Sequence, residues 1–340
     1  MIIKSKAPLR IGLAGGGTDV APYCNEYGGC ILNATIDMYA YAAITPTTDE
    51  KIVLETKDRG EIFTCPSEKY IECDGNLDLL KAVYNRIVKD FNLSALSFRL
   101  STYVDAPAGS GLGSSSTLVV AIVKAFVEWL NLPLDDYSVA QLAWSIERED
   151  LGMSGGLQDQ YAAAFGGFNF MQFGDSQKVL VNPLRIKQSY LNELEFDLLL
   201  YYTGTSRLSS KIISSQIKNM TEQNNKALHA LHQIKQSAYD MKEALLTGHL
   251  EDMGLLLNQA WLNKKATSTS ISNPVIDELY KTALSAGATG GKISGAGGGG
   301  FFMFFCPGDS RYSVIKALQK FEGEFRNFSF TKRGVESWKV

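Results

Sequence analysis

The segment Pro107-Ala-Gly-Ser-Gly-Leu-Gly-Ser-Ser-Ser116 constrains this chain more than any other. It follows a run with strand character, Leu96–Val104, and opens the stretch Ser114–Leu130, so apolar that a helix there has to be buried. Glycine costs entropy inside regular elements, so it gathers where backbone takes positive φ or approaches something closely. A glycine-rich turn feeding a helix start aims several backbone N–H groups, and the positive end of the helix dipole, at one point. That arrangement cradles phosphate without a basic side chain. Five further clusters, Gly15–Gly17, Gly155–Gly156, Gly166–Gly167, Gly290–Gly291 and Gly297–Gly300, abut apolar segments and lack the Ser/Pro-rich flanks of a linker.

Two familiar phosphate loops do not fit. A Walker A loop requires lysine after its last glycine, and Ser114 follows Gly113; Gly287-Ala-Thr-Gly-Gly-Lys292 is one residue short and continues into Ile293. A dinucleotide fingerprint needs different glycine spacing and an acidic residue about 20 positions on, at the end of a second strand; here Trp129 and its neighbours fall in a helix. The three serines are distinctive. One suffices to cap a helix; three in succession suggest a hydroxyl aimed at a phosphate oxygen or at Mg²⁺.

Around this loop the pattern is mixed. Strands are expected at residues 1–13, Gly29–Thr45, Lys51–Thr56, Glu61–Thr64, Phe196–Thr203, Gly300–Phe305 and Phe328–Lys332. Helices are expected over Leu77–Phe91, Leu134–Glu149, Leu157–Phe165, Ser209 to about Lys265, a segment beginning at Asn273-Pro274, and Ser313–Phe321. This is an α+β chain of two lobes with a boundary in Asn182–Glu193, giving 1–187 and 188–340. A net charge of −3 provides no basic field for nucleic acid or an anionic membrane. No run of 18 apolar residues spans a bilayer, and the N-terminus alternates like a strand rather than forming a signal peptide. Five cysteines without a C-x-x-C fit reduced thiols in the cytoplasm. His229, His232 and His249 sit in a polar helical stretch without the further ligands of a zinc site, as surface residues would.

Pro107–Ser116 resembles the second motif of the GHMP kinases, P-x-x-x-G-L-G-S-S-A/S. Ala7-Pro-Leu-Arg-Ile-Gly-Leu-Ala-Gly-Gly-Gly-Thr-Asp19 is similar to their first motif, and Lys292-Ile-Ser-Gly-Ala-Gly-Gly-Gly-Gly300 to their third. The order and separations match over nearly the whole chain. The resemblance implies a two-lobed fold: an N-terminal lobe like domain 2 of ribosomal protein S5, a ferredoxin-like C-terminal lobe, and the active site between them. It implies ATP bound by Pro107, Ala108, Gly109, Ser110, Gly111, Leu112, Gly113, Ser114, Ser115 and Ser116.

Residue by residue, Asp159 in Gly155-Gly-Leu-Gln-Asp-Gln-Tyr161 takes the place of the aspartate that accepts the hydroxyl proton, and Arg10 that of the catalytic arginine. A cap on the following helix and a structural ion pair are the plain alternatives. Phosphoryl transfer asks mainly for positioning and charge neutralisation, and a carboxylate base adds about 10²–10⁴-fold. Glu147, twelve residues before Asp159, is expected to hold Mg²⁺ with Ser115; Glu149 and Asp150 lie close by. Gly16, Gly17, Thr18, Asp19, Gly297 and Gly298 are expected at the sugar.

The first motif lacks the Glu-His of galactokinase, and Ala14-Gly-Gly-Gly-Thr-Asp19 resembles instead the D-glycero-D-manno-heptose 7-phosphate kinases and, less closely, bacterial fucose kinases. That implies ATP-dependent phosphorylation of an anomeric hydroxyl to give a 1,7-bisphosphate for nucleotide-activated heptose. Another sugar 1-kinase, a non-catalytic regulator of the same fold and an ATP-dependent decarboxylase are the alternatives. A substrate phosphate needs its own anion site, for which Arg207, Lys211, Lys6 and Lys292 are candidates. Oligomeric state is left open.

Overall fold

Strand β1 (Ile3–Ala14) starts with alternating burial and ends in a fully buried run, because it becomes an interior strand of a large sheet. The computed structural model describes residues 1–175, 178–204, 209–221 and 225–340, side chains at 209–211 and 221 excepted. After β1 come α1 (Tyr23–Tyr27), β2 (Gly29–Pro46), β3 (Lys51–Thr56), β4 (Glu61–Pro66), α2 (Asp78–Asp90), β5 (Phe98–Val104), α3 (Ser114–Leu130), α4 (Asp136–Ser145), α5 (Gln158–Phe165), β6 (Phe168–Phe173) and β7 (Val179–Pro183). The second half contains α6 (Gln188–Asp197), β8 (Leu198–Tyr202), α7 (Ser209–Thr221), α8 (Asn225–Thr247), α9 (Asp252–Thr267), α10 (Pro274–Ser285), β9 (Gly290–Ile293), β10 (Phe301–Phe305), α11 (Ser310–Leu318), β11 (Glu324–Arg326) and β12 (Glu336–Lys339).

The first sheet runs β12-β1-β2-β5-β3-β4, with β6 and β7 added alongside β2. The 18-residue β2 pairs with β1 along one edge and with two strands along the other: Gly29–Ala34 with β6 and Ala40–Pro46 with β5. Among the described residues only the β3–β5 pair is parallel. Helix α3 packs on β1 and β2 with residues from Thr117 to Val123 all buried, which explains its nearly uniform apolarity.

The second sheet, β11-β8-β10-β9, is antiparallel and has the strand order of a ferredoxin-like lobe. Trp261 of α9 packs on its Phe302, and Phe302 stacks on Phe304 at 4.4 Å between centroids. A core containing Leu9, Ile11, Leu198, Met241 and Phe301 joins the two lobes, so the cleft between them has a rigid floor.

Three expectations are corrected. Phe196 and Asp197 end helix α6 instead of starting the FDLLLYY strand. Phe328–Lys332 forms only an isolated bridge, Ile36 to Phe330, and the last strand, β12, pairs with β1. Residues Glu336–Lys339 of the second half thus belong to the first sheet. Finally, the helix expected over Leu134–Glu149 gives way after Ser145 to a π-helical turn, Ile146–Asp150. Among the described residues no helix is long and apolar enough to cross a membrane.

Candidate active site

The turn 107–113 folds as a cradle because its three glycines take positive φ: Gly109 at 74°, Gly111 at 83° and Gly113 at 79°. Gly111 also meets the third glycine loop, where a Cβ would lie 2.3 Å from the Ser294 carbonyl oxygen. Gly113 is the N-cap of α3 and makes no side-chain capping bond. The serines are thereby released from capping, and each takes a different task. Ser114 Oγ meets Ser110 Oγ at 3.1 Å and donates to the Pro107 carbonyl at 3.4 Å. Ser115 Oγ donates to Glu147 Oε1 at 3.0 Å, and Ser116 Oγ accepts from Gln160 Nε2 at 3.1 Å.

Glu147 reaches Ser115 from the π-helical turn, a distortion common at functional sites. Its side chain is 1% exposed, and its nearest cation is Arg148 Nη1, 3.9 Å away. Gln160 Nε2 holds the other oxygen, Oε2, at 2.5 Å. A buried carboxylate oxygen beside a serine hydroxyl, with no cation in direct hydrogen-bond contact, is the hard-oxygen donor set that Mg²⁺ prefers. Among the described residues no group of three or more His, Cys, Asp or Glu side chains is arranged for a metal, so the protein would contribute few of the ligands.

Arg10 and Asp159 form the centre. Arg10 Nε and Nη2 both donate to Asp159 Oδ1, at 2.8 and 2.5 Å, while Nη1 donates to the Gly111 carbonyl at 2.6 Å and to Ser294 Oγ at 3.3 Å. The side chain of Arg10 is 4% exposed and that of Asp159 is 24% exposed. Asp159 makes no cap on α5; that helix is capped from outside by Asp19, whose Oδ2 accepts from the Leu157 and Gln158 N–H groups at 3.0 and 3.1 Å. Burial pushes the Asp19 carboxyl above its ordinary range, against the lowering effect of these N–H groups.

These groups line one cavity of about 540 Å³ between the lobes, with Gly16, Gly17, Asp19, Ala108, Gly109, Gly111, Gly113 and Ser114–Ser116 in its wall. Several expected site residues are elsewhere. Thr18 is fully buried, its hydroxyl bonded to the Gly15 and Cys30 carbonyls at 2.8 and 3.0 Å, so it locks the first glycine turn rather than facing a sugar. Pro107, Ser110 and Leu112 stand outside the wall: Leu112 is in the core, and its carbonyl accepts from the Arg10 N–H. From the third motif Gly295 and Ala296 reach the cavity; Gly297 and Gly298 do not, and the Gly298 N–H is bonded to the Ile271 carbonyl. Lys6 is paired with Glu336 on the β12 side. Arg207, like the side chain of Lys211, lies outside the described residues.

Two side chains at the site were missed in the sequence. Gln160 looked like any helical glutamine. Lys264 belongs to α9, far from every glycine motif, yet it lines the cavity beside Lys292. Desolvation lowers the Lys264 ammonium to about 8, and Lys292 is depressed well below the ordinary lysine range, also chiefly by burial.

Comparison with known proteins agrees with this geometry. Residues 78–167 match the GHMP kinases N terminal domain and residues 241–323 the GHMP kinases C terminal domain. The chain is 48% identical over 338 residues, 99% of both chains, to the D-glycero-alpha-D-manno-heptose 7-phosphate kinase of Campylobacter jejuni. A crystal structure of a D-glycero-D-manno-heptose 1-phosphate kinase from Bacteriodes thetaiotaomicron superposes with a TM-score of 0.85 at 45% identity, covering 99% of each chain. A putative sugar kinase from Campylobacter jejuni gives 0.83 at 48%, covering 100% of this chain and 98% of the other. With its three glycine motifs folded around one cleft, and relatives this similar along their full length, the chain belongs to the GHMP kinase family.

Proposed function

We propose that this protein is an ATP-dependent sugar kinase that phosphorylates the anomeric hydroxyl of D-glycero-D-manno-heptose 7-phosphate. The observation that carries the reading is the Arg10–Asp159 pair, set beside the glycine turn and lining the cavity between the lobes. Its full-length likeness to heptose phosphate kinases selects the acceptor.

In this reading the triphosphate lies along Ala108–Ser115, held by backbone N–H groups and the start of α3. Ser115 and Glu147 would hold Mg²⁺, which supplies charge neutralisation between the β- and γ-phosphates; Gln160 keeps Glu147 turned toward Ser115. Because Arg10 occupies only Oδ1 of Asp159, Oδ2 remains to receive the proton of the anomeric hydroxyl. The guanidinium orients the carboxylate and stabilises charge developing on the transferred group. The anomeric hydroxyl is more acidic than an ordinary alcohol, so a carboxylate is an adequate base.

The test is an ATP-consumption screen with heptose 7-phosphate and free hexoses as acceptors. Selective turnover of the heptose phosphate supports the reading; equal or better turnover of an unphosphorylated hexose rejects this acceptor.

A further inference from the structure

Lys264 and Lys292 are 4% and 3% exposed, and neither has a carboxylate within 4.0 Å among the described residues. Among the described residues each ammonium group makes one hydrogen bond: Lys264 donates to the Gly295 carbonyl, and Lys292 to the Gly12 carbonyl at 2.5 Å. Burying an ammonium group without a counter-charge is unfavourable, and one neutral carbonyl does not offset it. Both line the cavity, so the missing charge is most economically that of a bound anion.

The position of Lys264 says which anion. It donates to the carbonyl of Gly295, while Arg10 bonds the Oγ of the adjacent Ser294. Gly295 in turn lies against Gly111 of the phosphate turn, where a Cβ on it would be 2.6 Å from the Gly111 Cα. Lys264 is thus tied to the Arg10 end of the cavity, where ATP would meet its acceptor. A phosphate at the far end of a seven-carbon sugar lies well away from the anomeric oxygen and so from this end.

We propose that Lys264 is a catalytic residue of this kinase, contacting the phosphoryl group as it passes from ATP to the sugar. The inference rests on the kinase reading above, not on the identity of the sugar. In the step, the bond between phosphorus and the anomeric oxygen forms as the bond to the departing ADP oxygen breaks, and the hydroxyl proton goes to Asp159. Charge on the equatorial phosphoryl oxygens is then met by Arg10 from the N-terminal lobe and by Lys264 from the C-terminal lobe. Transfer therefore depends on both lobes being in contact with the reacting group. The charged groups around Lys264 are Arg10 of β1, Lys292 of β9 and Asp19 of the first glycine turn; burial is the main cause of its depressed ammonium in the free enzyme, Arg10 adds to it and Asp19 opposes it.

Steady-state kinetics of the full chain with Lys264→Met and Lys264→Arg test this. Lys264→Met should lower kcat by about 10²–10³-fold, the usual loss for one transition-state donor, with KM for ATP and for the sugar within about threefold of wild type. Lys264→Arg should recover a measurable part of kcat, because it restores the charge. The free Lys264→Met protein should melt no lower than wild type, since an uncompensated buried charge has been removed. A sugar KM raised tenfold or more at unchanged kcat would overturn the proposal, placing the lysine on the substrate's own phosphate. Unchanged kinetics, or a lost kcat accompanied by a lowered melting temperature and no recovery with arginine, would overturn it as well. If wild type turns over a different sugar, the acceptor assignment fails while Lys264 is tested on that sugar.

Discussion

Arg10 grips a single oxygen of Asp159: its Nε and Nη2 both meet Oδ1, and no bond between Arg10 and Oδ2 is seen. The two oxygens of one carboxylate are thereby differentiated, one fixed by charge and one left for the acceptor. Asp159→Asn keeps the shape of the side chain but removes the base and places an amide where the proton should go. It should lower kcat by about 10²–10⁴-fold while ATP still binds. Activity at the wild-type rate would remove Asp159 from the mechanism.

Gly113 leaves space beside the other oxygen, Oδ2. With φ at 79°, a Cβ there would be strained and would sit 3.2 Å from Asp159 Cγ and 3.3 Å from Oδ2. Gly113→Ala should cost about 1–2 kcal/mol of stability from the left-handed backbone. It should also reduce kcat more than the KM for ATP, because the side chain it crowds is the base. Chemical denaturation and initial rates together check this; a variant with wild-type kcat would show that the base has room to move.

Gln160 binds nothing in the cavity, yet it clamps Glu147. Partners behind a metal ligand typically matter about 10–100-fold in affinity. Gln160→Leu should raise the Mg²⁺ concentration needed for half-maximal rate within that range. Direct Mg²⁺ titration of nucleotide binding gives a readout separate from turnover. An unchanged Mg²⁺ requirement in both measurements would show that Glu147 holds its place unaided.

Thr18 separates framework from binding. Thr18→Val removes a buried hydroxyl that serves the Gly15 and Cys30 carbonyls and also accepts from the Cys30 N–H. Removing those bonds, and with them the Cys30 N–H acceptor, should cost about 1–3 kcal/mol. The sugar KM of the folded protein should move little. A large KM change at unaltered stability would return Thr18 to the sugar site.

Lys264 gives the free protein a pH signature. Its folded value, about 8, is below the 10.5 of an ordinary lysine, so between those values the unfolded chain binds the proton and the folded chain does not. Stability from this group therefore rises with pH across that window. The melting-temperature advantage of Lys264→Met over wild type should be greatest below pH 8 and shrink as the pH approaches 10.5. A difference independent of pH would mean that Lys264 is not buried as a charge.

The sequence disclosed what lies close together in the chain. The glycine turn, the strand before it and the buried helix after it are contiguous, and their local chemistry leads to one conformation. Arg10, Asp159 and Glu147 were reachable only through motif resemblance, and the structure brings them into one cleft. Lys264 could not be seen, because a lysine on a polar helix has the same pattern whether it faces solvent or a cavity. Asp19 was read as a sugar ligand, and spacing gave no hint that its carboxylate also caps α5 across 138 residues. Thr18, beside it, presents a related difficulty. A hydroxyl in a glycine-rich motif serves ligand and backbone equally well until the fold fixes which is nearer.

The pairing of β12 with β1 has a consequence for biosynthesis. The strand that carries Arg10 is synthesised more than 300 residues before Glu336–Lys339, one of its two neighbours, which pairs with Ile3–Lys6. Until then β1 presents an open row of N–H and C=O groups, the kind of edge that recruits foreign strands. Synthesis of Glu336–Lys339, rather than completion of the first half, is what covers this part of β1.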